Sequence, residues 1–284
     1  MPTRSELIQD IENDRLLESH SRRLTNISVG EARRIERYYE AARARVSHYL
    51  ATWRGTDSFT ETRMLAVKAQ IDNDLLDLSR VIRGELDISS SMAVEQSGQD
   101  TLSEINRLEK KFTGAVLPIP EDAIDYALTP DHYLFNNFYS SVENYNQQIR
   151  TKMHNTLATS VIARETHHQV ITRMQRAIGG DQWQVARIVR TEMANIYNGS
   201  KIFNFYKLKE ENIVPDMMKG LYHPMDSRTA NDSKYLSKLD PIVNLEDNFK
   251  YEWNGEVREF PAPPDRPNDR AILIPIRGDW MSPQ

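Results

Sequence analysis

The side chains of this sequence that could do acid–base or metal chemistry are its histidines and carboxylates. The chain has 284 residues, with seven histidines and no cysteine, which excludes a thiolate zinc site and a cysteine nucleophile. No two histidines have the i, i+4 spacing with a glutamate that metalloproteases use. Glu165, His167 and His168 lie close together, but successive helical residues point about 100° apart, so we expect an exposed helix and not a chelate. The sequence therefore predicts no metal site.

Glycine-rich motifs that hold nucleotides are also missing. The sequence has 11 glycines and no Gly-x-Gly-x-x-Gly, P-loop or Gly-x-Ser-x-Gly pattern. Such loops hold phosphates through closely spaced backbone N–H groups. We therefore expect no cofactor.

Arginine is locally enriched between residues 29 and 55, where six arginines face three glutamates. Arg33, Arg34 and Arg37 could contact DNA phosphates, although alternating charges at helical spacing are also typical of an ordinary exposed helix face. The formal net charge of the chain is −5, so any DNA contact has to be local. A broad basic surface for nucleic acid is not indicated.

The overall composition is typical of a soluble globular protein, with 39% hydrophobic and 27% charged residues. Apolar runs such as Ala271–Ile276 are far shorter than the roughly 20 residues that span a bilayer. The first residues become acidic without an apolar signal-peptide core. We expect no membrane contact and a chain that stays in the cytoplasm where it is made.

The positions of the prolines divide the chain into three zones. None occurs between Pro2 and Pro118 or between Pro130 and Pro215, and nine of the thirteen lie from Pro215 onward. Because proline breaks helix interiors, this distribution predicts a mainly α fold in which long amphipathic helices precede a small C-terminal α+β module. The predicted zones are an N-terminal helical region (1–117), a central helical part (118–214) and the C-terminal module (215–284).

Apolar residues at three- and four-residue steps predict amphipathic helices in the first two zones. Ser28 and Glu31 form a capping-box pattern that predicts the start of a second helix, and Thr60 is the expected start of a third. The small polar residues from Ile88 to Gly98 predict a loop. The expected helices cover 4–24, 28–55, 60–84, 102–112, 133–172 with a bend, and 185–197.

The C-terminal zone changes to a two-residue period. Asn254-Gly255 stands between two short arms, which is a strong hairpin signal. A two-residue turn would pair Phe249 with Phe260 and Lys250 with Glu259, so the hairpin is expected near 249–260. Residues 271–276 should form a further strand at a sheet edge, because Pro275 cannot donate to a neighbouring strand.

Several short motifs in the second half of the chain occur in a recognisable order. A glycine turn at 179–180 is followed by a helix with Arg190-Thr191-Glu192, by Asn198-Gly-Ser-Lys-Ile-Phe-Asn-Phe-Tyr206, and by Asp226-Ser227-Arg228-Thr229. In this order and spacing, residues 130–276 resemble the phage Mu F-like minor head proteins. On that basis, 118–214 would be the central helical part of the Mu F-like domain.

The resemblance implies a function in a tailed bacteriophage. The chain would be a capsid-interior, portal-associated structural protein of the virion, acting by protein binding in head assembly and in genome packaging or delivery. It would be located near the portal, and in the host cytoplasm during assembly. Implied partners are the portal protein, the major capsid protein or both, with packaged DNA and further copies of the chain as additional candidates. An assembly scaffold or adaptor, absent from the mature virion, is an alternative interpretation of the same long helices.

The C-terminal end departs from the family pattern. Many members have a histidine soon after the Asp-x-Arg-Thr motif and a Pro-Asn-Cys-Arg-Cys ending. This chain continues with Ala230–Ser233 and has Pro267-Asn268-Asp269-Arg270-Ala271 at the ending. Both cysteine positions are lost, which puts in doubt any metal or redox role suggested by that cluster.

The charged residues of the motifs suggest how the C-terminal module is attached. Arg190 and Glu192 are two residues apart and point to different sides of their helix, so each is available to another segment. Our hypothesis is that Arg190 pairs with Asp226, or Glu192 with Arg228, since a bidentate arginine–carboxylate contact suits this task.

A catalytic alternative comes from relatives that carry appended toxin-type nuclease or ADP-ribosyltransferase domains. His223 near Arg228 could act as an acid or base beside a phosphate-binding arginine. The hairpin and the final strand account for the residues after Thr229, which leaves no room for such a domain. The sequence therefore predicts a protein without enzymatic activity.

Overall fold

The computed structural model describes residues 3–52, 60–124, 133–179, 182–227, 229–237, 239 and 241–281. In these ranges the helices are α1 (Arg4–Glu12), α2 (Arg15–Thr52), α3 (Glu61–Thr113), α4 (Tyr133–Ile162), α5 (His167–Gly179), α6 (Gln182–Glu210) and α7 (Asn231–Leu236). The strands are β1 (Met217–Tyr222), β2 (Ile242–Asn244), β3 (Phe249–Trp253), β4 (Glu256–Phe260) and β5 (Ile272–Arg277). The predicted fold class, long helices followed by a small α+β region with a hairpin, is confirmed. None of the described helices combines the length and apolar character that a membrane crossing requires.

The chain folds into two compact units, each assembled from separated segments. Unit 1 comprises Met1–Ser28, Ser89–Phe135 and Arg190–Gln284, and unit 2 comprises Val29–Ile88 and Asn136–Val189. The C-terminal zone (215–284), with every strand described, therefore belongs to the same unit as the first helix.

The first helix is shorter than the predicted range 4–24. Asp14 Oδ1 accepts hydrogen bonds from the backbone N–H groups of Leu16 (2.7 Å) and Leu17 (3.4 Å). This carboxylate caps the first turn of α2, and α1 ends at Glu12. The prediction of one continuous helix was wrong because Asp14 starts a new one.

The predicted break before Ser28 is absent, since α2 continues through it. The Ser28 hydroxyl donates to the carbonyl of Thr25 (3.0 Å), and Glu31 accepts from Arg34 Nε (3.0 Å). Both side chains bond to neighbours within the helix, so neither is needed as a cap. The expected end of this helix at Gly55 lies outside the described residues.

The predicted helix end at Gly84 and the loop at 88–98 were also wrong, because α3 is continuous from Glu61 to Thr113. Ser97 donates to the carbonyl of Val94 (2.8 Å), and Thr101 donates to that of Ser97 (2.8 Å). Hydroxyl groups that bond back to the preceding turn are compatible with a helix interior. Burial of the small serines supplies the packing that the local sequence pattern does not reveal. The predicted start of this helix is confirmed, since Thr60 Oγ1 accepts from Arg63 N (3.4 Å).

The core of unit 2 is formed by apolar faces of α2, α3 and α4. The rings of Tyr39 and Tyr145 meet edge to face with centroids 5.4 Å apart. Asn146 accepts from the Tyr39 hydroxyl and donates to Ser79 Oγ (2.7 Å), so the buried polar groups are paired. Other buried side chains of this unit include Ile35, Val46, Ile71, Leu78, Ile82 and Leu157.

A bend separates α4 from α5, as the sequence predicts for 133–172. Arg164 has a φ of 51°, which is the left-handed conformation that ends a helix. Thr166 Oγ1 then accepts from Gln169 N (3.4 Å), and Gln169 Oε1 accepts from Thr166 N (2.9 Å). These reciprocal bonds cap α5.

In the part of unit 1 that the structure describes, the strands form two antiparallel sheets. One has the order β2-β1-β5, and the other is the hairpin β3-β4. The predicted position of residues 271–276 in an edge strand is confirmed by β5. A shared apolar cluster includes Ile105, Phe205, Leu208, Met217, Leu245, Phe249, Tyr251, Phe260 and Leu273.

The predicted hairpin has the expected register. Phe249 pairs with Phe260 and Lys250 with Glu259. Asn254 and Gly255 have φ values of 53° and 79°, as a type I′ turn requires. The two phenylalanines are buried on one face, while Lys250 and Glu259 are exposed on the other with their charged atoms 3.9 Å apart.

Candidate functional site

Three buried carboxylates of α3 organise the polar interior of unit 1. Asp100, Glu104 and Glu109 are each at most 5% exposed. Such charges are stable only when they are paired and hydrogen-bonded. Each of the three binds positively charged or hydrogen-bond-donating groups from other elements of the unit.

Glu104 forms a salt bridge with Lys201 of α6. Lys201 Nζ lies 2.6 and 2.7 Å from the two carboxylate oxygens and also donates to the carbonyl of Leu273 (2.9 Å). Both side chains of this ion pair are fully buried. His20 Nδ1 lies 2.7 Å from Glu104 Oε1, which brings α2 into the same cluster.

Asp100, one turn before Glu104 on α3, contacts side chains of both α2 and α6. Arg23 NH1 lies 2.9 Å from its Oδ1, the Tyr197 hydroxyl donates to its Oδ2 (2.6 Å), and His20 Nε2 lies 3.4 Å from Oδ1. Burial, followed by the charges of Glu104 and Asp100, raises the pKa of Tyr197 well above its ordinary value. Tyr197 therefore stays a hydrogen-bond donor at all physiological pH values.

Asn198 and Lys201 cover the open edge of β5. The Asn198 amide donates to the carbonyl of Ala271 (3.2 Å) and accepts from the backbone N–H of Leu273 (2.8 Å). It thus supplies the two hydrogen bonds that a neighbouring strand would make. Lys201 binds the Leu273 carbonyl, and Pro275 has no N–H to satisfy. The edge is consequently closed to further strand pairing.

Glu109 fixes the chain after β5. Its Oε2 accepts from Arg277 NH1 (2.9 Å) and from the indole Nε1 of the buried Trp280 (2.7 Å). The Trp280 ring also packs against Phe112, with centroids 5.7 Å apart. The last described residues are therefore bonded to α3.

Asp226 and Thr229 of the Asp-x-Arg-Thr motif are bound by Arg270. Arg270 makes a bidentate contact with Asp226 (2.6 and 2.8 Å) and donates to Thr229 Oγ1 (3.1 Å). The Thr229 hydroxyl donates to the carbonyl of Pro224. The arginine that holds Asp226 in this contact is Arg270, whereas the sequence hypothesis named Arg190. Ser227 is exposed.

The Arg190–Glu192 motif approaches the same C-terminal segment through its threonine. Thr191 Oγ1 accepts from the backbone N–H of Asn268 (3.3 Å). Glu192 accepts from Asn195 (2.9 Å), and Arg190 Nε is buried without a hydrogen-bond partner among the described residues. The alternative pairing of Glu192 with Arg228 lies outside the described residues.

A second charged cluster lies beneath the hairpin. Arg266 contacts Asp265 (2.9 Å) and Asp232 (2.9 Å). Arg258 lies 3.1 Å from Asp232, and the Tyr251 hydroxyl donates to Asp265 (2.5 Å). These bonds connect the hairpin to α7 and to the segment before β5.

His223 and Asp269 lie near this cluster and have shifted pKa values. Burial lowers the pKa of His223 to about 4, and Asp265, Arg266 and Asp232 exert smaller effects. Burial and then the nearby Asp265 carboxylate raise the pKa of the half-buried Asp269 to about 6. His223 is therefore neutral near pH 7, and its Nε2 has no hydrogen-bond partner among the described residues.

The three arginines predicted to contact DNA lie on α2 in unit 2. Arg34 contacts Glu31 and, at 3.8 Å, Glu85. Arg33 and Arg37 are exposed one turn apart and have no ion pair among the described residues. Of the three predicted arginines, Arg33 and Arg37 are therefore the ones that present an unpaired charge to solvent within the described ranges.

The predicted absence of a chelate at Glu165, His167 and His168 remains a prediction, because the His167 side chain is outside the described set. Glu165 is bound by Arg173. Among the described residues, no group of three histidine, aspartate or glutamate side chains could hold a metal ion.

Sequence reasoning missed the carboxylates of α3 as site residues. Asp100 falls outside every predicted helix, and Glu104 is an ordinary charge in an amphipathic pattern. The one sequence signal for this cluster was Asn198–Lys201. This stretch belongs to the motifs that resemble the phage family, and no role was assigned to its side chains from the sequence. A comparison of the chain with family models, curated proteins and solved structures finds no match in any of the three.

Proposed function

We propose that this protein is a minor head protein of a tailed bacteriophage, located in the capsid interior near the portal, and that it acts by binding and not by catalysis. The observation that carries the proposal is the convergence of the motifs that suggest this family. Thr191 binds Asn268, Asn198 binds Ala271 and Leu273, and Asp226 binds Arg270. Motifs far apart in sequence thus form one bonded structural unit, as expected if they define a common domain.

Candidate binding surfaces for the portal protein, the capsid protein or further copies lie on the long helix α3. Leu65, Leu76, Val81 and Ile88 are between 47% and 60% exposed. At helical spacing Leu65 and Leu76 share one side of α3 and Val81 and Ile88 share another, and exposed apolar patches of this kind mark protein-binding sites. Packaged DNA is an additional proposed partner, through Arg33 and Arg37.

The environment of His223 supports a function without catalysis. The imidazole is only 5% exposed, and burial lowers its pKa to about 4. A general base works best when its pKa lies near the working pH. A buried histidine that is a weak base is poorly suited to the nuclease chemistry considered above.

The proposal is tested by mass spectrometry of purified virions of the phage whose genome encodes this chain. We expect peptides from the chain in DNA-filled particles, at a copy number well below that of the major capsid protein. Particles that contain portal peptides but none from this chain would instead support the scaffold alternative. DNA- or RNA-cleaving activity that is lost in His223→Ala would contradict the non-catalytic part of the proposal.

A further inference from the structure

A polar pocket of about 200 Å³ lies in unit 1 between α7, the loop after β1 and the segment before β5. Its lining includes two guanidinium groups, those of Arg266 and Arg270. Their side chains are 22% and 19% exposed. Two arginines that are mostly buried thus share one accessible pocket.

Both guanidinium groups are held in place without a ligand. Arg270 is fixed by its bidentate contact with Asp226, and Arg266 by Asp232 and Asp265. A side chain that is already ordered loses little conformational entropy when a ligand binds. The planar guanidinium also matches the geometry of oxyanions, particularly phosphate.

The hydroxyl of Ser233 adds a donor to the pocket lining. Its oxygen accepts from Arg266 NH2, and its own proton has no acceptor among the described residues. Asp269 is the carboxylate in the lining, but its oxygens accept from the backbone N–H groups of Ala271 (3.1 Å) and Asp265 (3.4 Å). This carboxylate is therefore engaged by its own loop, while the arginines and the serine are donors.

We propose that this pocket binds an oxyanion of the phosphate class through Arg266, Arg270 and Ser233. Asp226, Asp232 and Asp265, which contact the two arginines, outnumber them, so net charge does not favour an anion and recognition depends on the hydrogen-bond geometry of the donors. The site does not depend on the proposed function. The oxyanion can come from free inorganic phosphate or from the backbone of DNA.

Titration of the full chain with sodium phosphate, at an ionic strength kept constant with sodium chloride, tests the pocket. Backbone amide NMR signals are followed. We expect saturable shifts confined to residues 223–233 and 266–271. No saturation, or equal shifts with sodium chloride alone, overturns the proposal.

Arg270→Gln is the first variant, because the Asp226 side chain is 41% exposed and stays hydrated when its partner is removed. Loss of a charged donor should weaken phosphate binding about tenfold. Arg173→Gln is the matched control, since this half-exposed arginine pairs with Glu165 outside the pocket. Its Kd should equal that of the wild type, and equal binding by Arg270→Gln would contradict the proposal.

Ser233→Ala gives a second variant in case Arg270→Gln does not fold. It removes the hydroxyl donor and leaves Arg266 with two carboxylate partners, so we expect phosphate to bind several-fold more weakly. Unchanged affinity in a folded Ser233→Ala overturns the assigned role of Ser233.

A short DNA duplex distinguishes the two sources of the oxyanion. If DNA shifts the same amide signals and phosphate displaces it, the backbone of DNA is the ligand. If phosphate binds and DNA does not, the pocket takes a free phosphate or a small phosphorylated molecule. Failure of both ligands overturns the proposal and leaves the virion experiment unaffected.

Discussion

Lys201 carries its charge in a fully buried position, which makes it the most informative single residue of the chain. Its Nζ binds both oxygens of Glu104 and the carbonyl of Leu273. A buried ion pair is costly to desolvate, and removing one partner leaves the other charge uncompensated. Lys201 therefore links α6, α3 and β5 through hydrogen bonds that are shielded from water.

Lys201→Met tests this arrangement, since methionine keeps most of the apolar stem and removes the charge. We expect the free energy of unfolding of unit 1 to fall by about 3–5 kcal/mol. Urea unfolding followed by circular dichroism measures the loss. Lys209→Met is the control, because Lys209 and Glu246 are both partly exposed and their contact should contribute less than about 1 kcal/mol. Similar losses in the two variants would show that Lys201 is not buried as described.

His223 and Asp269 should make stability depend on pH in opposite directions. The unfolded histidine binds a proton below its ordinary pKa of 6.5, whereas burial lowers the pKa of folded His223 to about 4. Its contribution to stability is therefore lost as the pH falls from 6.5 towards 4. Burial raises the pKa of Asp269 from 3.8 to about 6, so the folded state gains a proton first and is stabilised relative to the unfolded state as the pH falls from 6 to 3.8.

Measuring the free energy of unfolding at pH 7 and at pH 5 distinguishes the effect of His223 from that of Asp269. His223→Gln removes the histidine effect, so its stability should fall by about 2 kcal/mol less than that of the wild type over this interval. Asp269→Asn removes the opposing effect and should lose more stability than the wild type. Parallel pH profiles for all three proteins would contradict the buried position of His223.

At the scale of elements, the hairpin and the long helices follow different rules. The β3-β4 turn requires positive φ values at Asn254 and Gly255. In α3, the buried Ser89, Ser90 and Ser97 stay helical because they pack inside unit 1, and the exposed Gly84 stays helical because the helix continues on both sides of it. Turn chemistry is set by two residues, whereas the length of α3 depends on packing along the whole helix.

Gly255→Ala and Gly84→Ala form a matched pair, one testing the turn of the hairpin and the other the interior of α3. A Cβ at either position has open space around it, so neither substitution creates a clash. Gly255→Ala should destabilise the protein by about 1–2 kcal/mol because of its φ of 79°. Gly84→Ala should stabilise it by up to about 1 kcal/mol, since alanine is favoured in helices. Thermal unfolding measures both, and shifts of the same sign would contradict the turn geometry.

At the scale of the whole molecule, charge limits what the protein can bind. The formal net charge is −5, so a nucleic acid can be attracted only by local groups. Arg33 and Arg37 are exposed on one face of α2, while Arg34 is engaged by Glu31. We infer that a contact of this part of α2 with DNA depends on Arg33 and Arg37.

Replacing both Arg33 and Arg37 by alanine should weaken DNA binding and reduce its salt dependence. Each lost phosphate contact lowers the slope of log K against log salt by about 1. Fluorescence anisotropy with a labelled duplex over a series of salt concentrations measures the slope. Arg34→Ala should change it less, and an unchanged slope in the double variant would exclude these arginines as the DNA contact.

The sequence by itself determined the features that depend on neighbouring residues. The Asn254-Gly255 turn, its register, the position of β5 and the helical character of the first zones follow from local conformational preference and hydrophobic period. The tertiary structure decided where helices continue and which charges pair. Asp14 interrupts a regular apolar stripe, buried serines continue α3, Lys201 meets Glu104, and Asp226 binds Arg270. Most of these outcomes depend on residues far apart in sequence, because burial strongly favours the pairing of charges and local spacing does not say which partner is chosen.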